Sequence, residues 1–265
     1  MRGPLERRVF IIASLLAACC LFLCHCAARQ SGITVLETAR KDDEAAQLLQ
    51  NILDMNARVN TIKGIGFVTI EQDNLQNRFR VAWIGCRPNK IRLEILAPTG
   101  QPVMSFASDG KRQYLLSYSD NRLYRRKTSE NGLKRLVAMA IKPEDILDLL
   151  SGRLPVSSES RAAIGHYSGS GAPVLMLETP GRGDRERIYS KTEEGETFHR
   201  MERYDRRGRL KFRAVFEKMR DIEGTEIPEL LTVRNDIGAM IRIETERCWI
   251  NPVIPKDRFV LMPPN

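Results

Sequence analysis

The sequence predicts a mainly β fold: an antiparallel sheet of about eleven strands wrapped around its own apolar face, with a few helices to cap it. Three observations carry this expectation. Short segments of period two follow one another along most of the chain, parted by Gly, Asn, Asp and Ser. Charged and apolar side chains alternate along those segments. Other stretches space their apolar residues by three and four, as amphipathic helices do. With 265 residues and 42% hydrophobic content, the chain can build one large all-β domain or two small ones, and its composition is not that of a disordered protein.

In chain order, the first element is a basic start from Met1 to Arg8, followed by an apolar run from Val9 through Leu23. This is the build of a secretory signal, and about fifteen apolar residues are few for a membrane span. Leu16-Ala17-Ala18-Cys19 resembles the bacterial lipobox, in which small residues before a cysteine admit the lipoprotein signal peptidase and leave the thiol carrying diacylglycerol. Cys26 is the alternative site, since it ends the apolar run ahead of a polar stretch, although His25 is larger than the Ala, Gly or Ser taken at the cleavage position. An uncleaved anchor or a plain secretory signal are the other readings. The lipobox resemblance implies a signal peptide over residues 1–18 and a lipidated N-terminus and tether over 19–37, on a membrane face outside the cytoplasm. Gln30 to Ala39 reads as tether. Cys19, Cys20, Cys24 and Cys26 all lie in this leader, so Cys86 and Cys248 are left to form one disulfide or to stand as two independent thiols.

Beyond the tether, Ala45, Leu48, Leu49, Ile52, Met55 and Val59 recur at helical steps between Thr38 and Asn60, predicting an amphipathic helix. The period then changes to two. Ile62 to Glu71, Phe79 to Ile84, Ile91 to Leu96, Val103 to Ala107, Gln113 to Tyr118 and Arg122 to Arg126 read as strands, separated by turns such as Ser108-Asp109-Gly110 and Ser119-Asp120-Asn121. Connections this short make antiparallel hairpins. A helical interlude covers Glu130 to Ala140 and Pro143 to Leu150, with Pro143 at a first helical position, Glu144 and Asp145 complementing the dipole, and Gly152 placed as a stop. Leu133, Leu136, Val137, Ile146, Leu149 and Leu150 give this pair an apolar face. Val156 to Pro173, rich in Ser and Gly, reads as a loop. Strands resume at Val174 to Thr179, Arg187 to Ser190, Phe198 to Tyr204, Leu210 to Met219, Glu229 to Arg234 and Met240 to Trp249, with Asp205-Arg206-Arg207-Gly208 and Asn235-Asp236-Ile237-Gly238 as hairpin turns.

The alternation also says which face is dry. Phe79, Val81 and Trp83 oppose Arg78 and Arg80, while Ile91, Leu93 and Ile95 oppose Arg92 and Glu94. Leu210, Phe212, Ala214 and Phe216 oppose Lys211, Arg213 and Glu217, and Ile241 and Ile243 oppose Arg242, Glu244 and Glu246. A transmembrane barrel would turn one of these faces to lipid, where each charge costs about 2 to 4 kcal/mol at mid-depth, so the charged face is wet and the apolar face turns inward. Trp83 and Trp249 are expected in the core, the alternative being a place in the lining of a lipid pocket. A solid interior makes this only a core; a gap beneath the helices makes it a hydrophobic ligand cavity, and the residues leave both open.

The formal net charge is +9, and the part beyond Ala18 still carries +7 because the leader holds three arginines and one glutamate. That suits an anionic partner, including lipid head groups. Lysines and arginines are scattered without interleaved aromatics, which speaks against nucleic acid. No G-x-S-x-G, H-E-x-x-H or phosphate-cradling glycine loop occurs, and beyond the leader only His166 and His199 remain, in no metal-binding spacing. The expectation is a protein without enzymatic activity, metal or cofactor.

Phe79-Arg80-Val81-Ala82-Trp83, Ile91-Arg92-Leu93-Glu94-Ile95 and Ala97-Pro98-Thr99-Gly100 are similar to the third and fourth strands and following loop of the LolA/LolB outer-membrane lipoprotein-sorting family, in its lipid-anchored LolB-like branch. Leu133 to Pro155 resembles that branch's helix pair, ending in a similar Gly-x-x-Pro turn. The resemblance covers about Ile62 to Pro155; the later strands agree in pattern only. It implies an unclosed half-barrel over residues 38–265 with helices as a lid, at the periplasmic face of the outer membrane, accepting acyl chains of lipoproteins or lipid from a periplasmic carrier protein. Taken with the inward-facing alternation, it makes Phe79, Val81, Trp83, Ile91, Leu93, Ile95, Met104, Phe106, Leu136, Ile146, Leu150, Phe212 and Phe216 the candidates for lining such a cavity. In one respect the chain departs from the branch: its loop carries an exposed leucine between Pro and Gly, and here that place is Thr99, between Pro98 and Gly100. Val103 or Met104 could replace that apolar tip, though both read as strand core. The alternative function is a structural or sensing envelope lipoprotein with a filled barrel that binds a protein partner.

Overall fold

In the computed structural model, which describes residues 33–35, 39–128, 139, 141–167, 173–181, 183–191 and 198–263, fourteen strands join in one antiparallel sheet. Strand β1 (Ile33–Val35) precedes helix α1 (Ala39–Ala57). A first meander follows: β2 (Thr61–Gln72), β3 (Leu75–Cys86), β4 (Lys90–Leu96), β5 (Pro102–Ser108), β6 (Arg112–Ser117) and β7 (Arg122–Lys127). Helix α2 (Pro143–Leu150) leads to the second meander of β8 (Arg161–Tyr167), β9 (Pro173–Glu178), β10 (Arg185–Ser190), β11 (Phe198–Tyr204), β12 (Leu210–Ile222), β13 (Thr225–Arg234) and β14 (Met240–Ile250). A 3-10 turn over Lys256–Phe259 closes the described chain. The leader and the helix expected over Glu130 to Ala140, with its candidate Leu136, lie outside the described residues, apart from Met139.

The two meanders are joined where β14 pairs with β2, and β1 lies beside β8. The order thus runs from β1 at one edge to β7 at the other. Among the described residues no pairing joins those edges, so the sheet is unclosed. All twelve segments read as strands are strands, and the sheet gains two more, β1 and β8, which pair with each other. The first lies within the stretch read as tether and the second within Val156 to Pro173, read as a loop. Three residues show no period, and Arg-Ala-Ala-Ile-Gly-His-Tyr carries too little hydropathy contrast to reveal one.

Registers place the apolar phase of each strand on one inner face. Val81, Ile95 and Met104 follow one another across β3, β4 and β5, and so do Trp83, Leu93 and Phe106. The opposite phase is charged and laced with ion pairs on the outer face, such as Arg78–Glu244 and Arg80–Glu246, both at 3.0 Å. Exposed pairs of this kind contribute little stability, but they fix which face meets water. Helix α1 buries Ala45, Leu49 and Ile52 into the core and packs on β8 and β9, while Met55 is left exposed. A smaller cluster on the outer face, Ala107, Tyr114 and Leu116 with Leu261, packs the C-terminal segment against β5 and β6. No helix among the described residues is long and apolar enough to cross a membrane.

A candidate lipid cavity beneath a latched helix

Helix α2 sits where its sequence places it. Pro143 occupies the first turn with Glu144 and Asp145, and Ser151 caps the end by donating its hydroxyl to the Leu147 carbonyl at 2.7 Å. Gly152 follows at φ +69°, with its Cα so close to the Glu226 carbonyl oxygen that a Cβ would stand 2.1 Å from it.

Two buried arginines fasten this helix. Arg203 on β11 points to the inner face, where it donates to Asp145 of α2 at 2.7 Å, to Glu186 of β10 at 3.1 Å and to the Pro155 carbonyl. Arg153, just past the helix, pairs with Asp148 at 2.6 Å and donates to the backbone carbonyls of Asn56, at 3.1 Å, and Val59. Asn56 in turn exchanges hydrogen bonds with the Leu154 backbone. Burial pushes Asp148 up to about 6 although Arg153 opposes the rise, and burial likewise raises Glu186. For Arg203, burial alone would lower the pKa, but the carboxylates of Asp145 and Glu186 outweigh it and raise it.

Between α2 and the sheet lies a cavity of about 280 Å³. Its wall comes from six consecutive strands of the order, β14, β2, β3, β4, β5 and β6, closed by Ile146 and Leu150 of α2. Every lining residue is apolar: the expected Phe79, Val81, Trp83, Leu93, Ile95, Met104, Phe106, Ile146 and Leu150, joined by Val68, Ile70, Leu115, Ile241 and Ile243. The space is about twice the ~150 Å³ of an apolar cavity that takes up benzene, and close to the low end of small-molecule sites. Val68, Ile70, Phe79, Leu93, Ile95, Met104, Leu115 and Ile146 are only half-buried. The inner face is therefore not filled to core density.

Three implied lining residues stand elsewhere. Ile91 and Phe212 are fully buried in the core, and Phe216 faces a smaller space of about 150 Å³ with Met55, Arg153 and Phe198. A space of about 360 Å³ on the outer face, beneath Val253 to Arg258, has Lys63, Arg92 and Glu94 in its wall and is unsuited to hydrocarbon. Of the two tryptophans, Trp83 is buried against the cavity with its indole N–H unpartnered, whereas Trp249 corrects the core expectation: it is 44% exposed beneath Lys63, because its phase on β14 faces outward. Val103 is likewise on the outer phase of β5 and 43% exposed, not core; Met104 lines the cavity.

The Pro98-Thr99-Gly100 loop is a tight turn closed by Gly100 N–H to the Ala97 carbonyl at 2.8 Å, with all three residues exposed. At the same end of the sheet, Glu71 pairs with both Gln76 and Met240, so the β2–β3 and β13–β14 turns are neighbours. They present the exposed aliphatic side chains Leu75 and Ile237. Cys86 and Cys248 are both free thiols. Their partners across β2, Thr61 and Gly64, are three residues apart and hence on opposite faces, which is why no bridge forms. Burial pushes the Cys248 thiol up to about 11. Among the described residues no group of three or more His, Cys, Asp or Glu is placed to hold a metal ion.

No protein-family model matches the chain, and no curated protein matches it by sequence. Solved structures do resemble it. A candidate outer membrane lipoprotein-sorting protein domain from Vibrio parahaemolyticus superposes at TM-score 0.61 with 11% identity, covering 82% of this chain and 97% of that one. A DUF1329 family protein from Desulfovibrio piger gives 0.62 and 11%, over 83% and 97%. A LolA superfamily protein from Nitrosomonas europaea gives 0.57 and 13%, over 82% and 97%. At such identities the likeness is one of fold, and the fold is the open LolA-like half-barrel.

Proposed function

We propose that this protein is an envelope lipoprotein that carries acyl chains, of lipoproteins or of lipid, in the cavity beneath α2. The observation that carries this reading is the unfilled, wholly apolar space walled by six strands and a latched helix. An acyl chain of roughly fifteen methylenes left in water costs on the order of 12 kcal/mol at ~0.8 per group, so transit between membranes needs a dry carrier. The fold supports the reading, since the Vibrio parahaemolyticus domain that shares it is described as lipoprotein-sorting. Within it, Cys19 is the lipid anchor, the outer membrane's periplasmic face is the location, and a periplasmic carrier is the donor. Thr99 supplies no apolar tip for delivery; Leu75 and Ile237 are the aliphatic side chains placed to meet a bilayer at that end.

The test is solvent extraction of the purified full chain for co-purified lipid, together with uptake of a fluorescent fatty acid. Bound lipid or saturable uptake is expected. Absence of both would favour a filled scaffold that binds a protein partner. For the anchor, Cys19→Ala should abolish incorporation of labelled palmitate; retained label would move the site to Cys26.

A further inference from the structure

The inner face changes character at one edge. Following the register outward from β4, one row runs Leu93, Phe106, Leu115 and then Tyr124 on β7. The row above runs Ile95, Met104, Ser117 and Arg122, and the row below ends in Gln113 and Arg126. Directly paired residues share a face, so Arg122, Tyr124 and Arg126 stand on the same face as the cavity wall, one strand beyond Leu115.

Tyr124 is 48% exposed, and both arginines are exposed, their guanidiniums making no hydrogen bond or ion pair among the described residues. Other arginines of the sheet are either committed to a glutamate, as Arg78, Arg80 and Arg213 are, or stand on its outer phase, as Arg112, Arg161, Arg234 and Arg247 do. Four residues apart on one face, Arg122 and Arg126 are separated by ~13 Å along the strand, a span two long side chains can close over the tyrosine between them. A dry trough that ends in two uncommitted guanidiniums around a half-exposed phenol has the polarity of an amphiphile: tails inside, anion at the edge. Guanidinium suits phosphate in particular, which it can grip with two parallel hydrogen bonds.

We infer that β7 reads the head group, and that the cavity's ligand is a lipid bearing an anionic phosphate head group, its tails against Leu93 and Met104 and its phosphate between Arg122 and Arg126. This rests on the carrier reading and narrows it. Cations on an edge strand also guard against strand addition, but Arg125 and Lys127 on the outer face of β7 serve that end without the inner pair.

The experiment mixes the purified full chain with vesicles holding fluorescent phosphatidylglycerol or fluorescent diacylglycerol of identical acyl chains and measures lipid transferred to protein. The expected result is a roughly fivefold preference for the anionic lipid, the scale of two exposed charge pairs. Arg122→Gln with Arg126→Gln should lose the preference while keeping wild-type transfer of diacylglycerol, which has no phosphate to grip, and the double lysine variant should keep much of it. Equal transfer of both lipids by the wild type, or a preference that survives in the glutamine variant, would overturn the inference and leave the carrier reading standing. Aggregation of the glutamine variant with its preference intact would likewise assign the arginines to edge protection. Loss of preference on adding inorganic phosphate, beyond the effect of chloride at equal ionic strength, would give the site to free phosphate instead. No transfer from either vesicle would overturn the carrier reading itself.

Discussion

Gly64 of β2 lies directly across from Trp83 of β3, and a Cβ on Gly64 would stand 2.4 Å from the indole Cε2. The missing side chain is what lets the indole lie over β2 and clear the space in front of it. Gly64→Val is expected to tilt the ring toward Leu93 and Phe106, costing about 1 to 3 kcal/mol in stability and reducing fatty-acid uptake several-fold. Uptake titrations beside urea denaturation check this. Unchanged uptake in a folded variant would mean the indole does not bound the ligand space.

Arg203→Met should be among the most damaging single changes. It leaves Asp145 and Glu186 buried without their cation, a situation that costs about 3 to 5 kcal/mol. The midpoint of urea unfolding reads the loss. A shift under about 1 kcal/mol would show that α2 is not held by this latch.

Asp148 gives the molecule a pH dependence of definite sign. Its carboxyl, at about 6 in the fold against 3.8 in the open chain, favours the bound proton, so the stability it contributes is complete below 3.8 and is lost as pH rises through about 6. Asp148→Asn cannot ionise and is expected to remove that loss, on the order of 2 kcal/mol. Thermal melts in the acidic and neutral ranges should therefore fall less steeply with pH for the variant. Parallel curves for both proteins would contradict the assignment.

The sheet was readable because Arg78-Phe79-Arg80-Val81-Ala82-Trp83 alternates without interruption, and so assigns each residue a face before any pairing is known. The same rule reached the cavity wall on β3, β4 and β5. It extended to Val68 and Ile70, and to Leu115, which the same alternation in Ile62 to Glu71 and Gln113 to Tyr118 could have added. Hydrophobicity alone puts Trp249 and Val103 in the core, but each sits on the outward beat of its strand, and phase decides. The latch was not legible, since Arg203 and Asp145 are 58 residues apart and neither announces the other. One local signal existed: in Phe198 to Tyr204, Arg203 falls on the beat of Met201, where an apolar residue is expected. Whether the interior is hollow depends on how far α2 stands off the sheet, a tertiary distance that no periodicity encodes.

The claim that hydrocarbon occupies the space under α2 is tested most directly by photolabelling the full chain with a fatty acid carrying a diazirine on its tail, then mapping adducts by mass spectrometry. Labels on inner-face residues of β3 to β6, such as Leu93, Ile95 and Met104, are expected, and they should vanish in an Ile95→Trp variant that fills the space. Labels confined to the outer face, around Trp249 or Val253, or labels unchanged by Ile95→Trp, would contradict it.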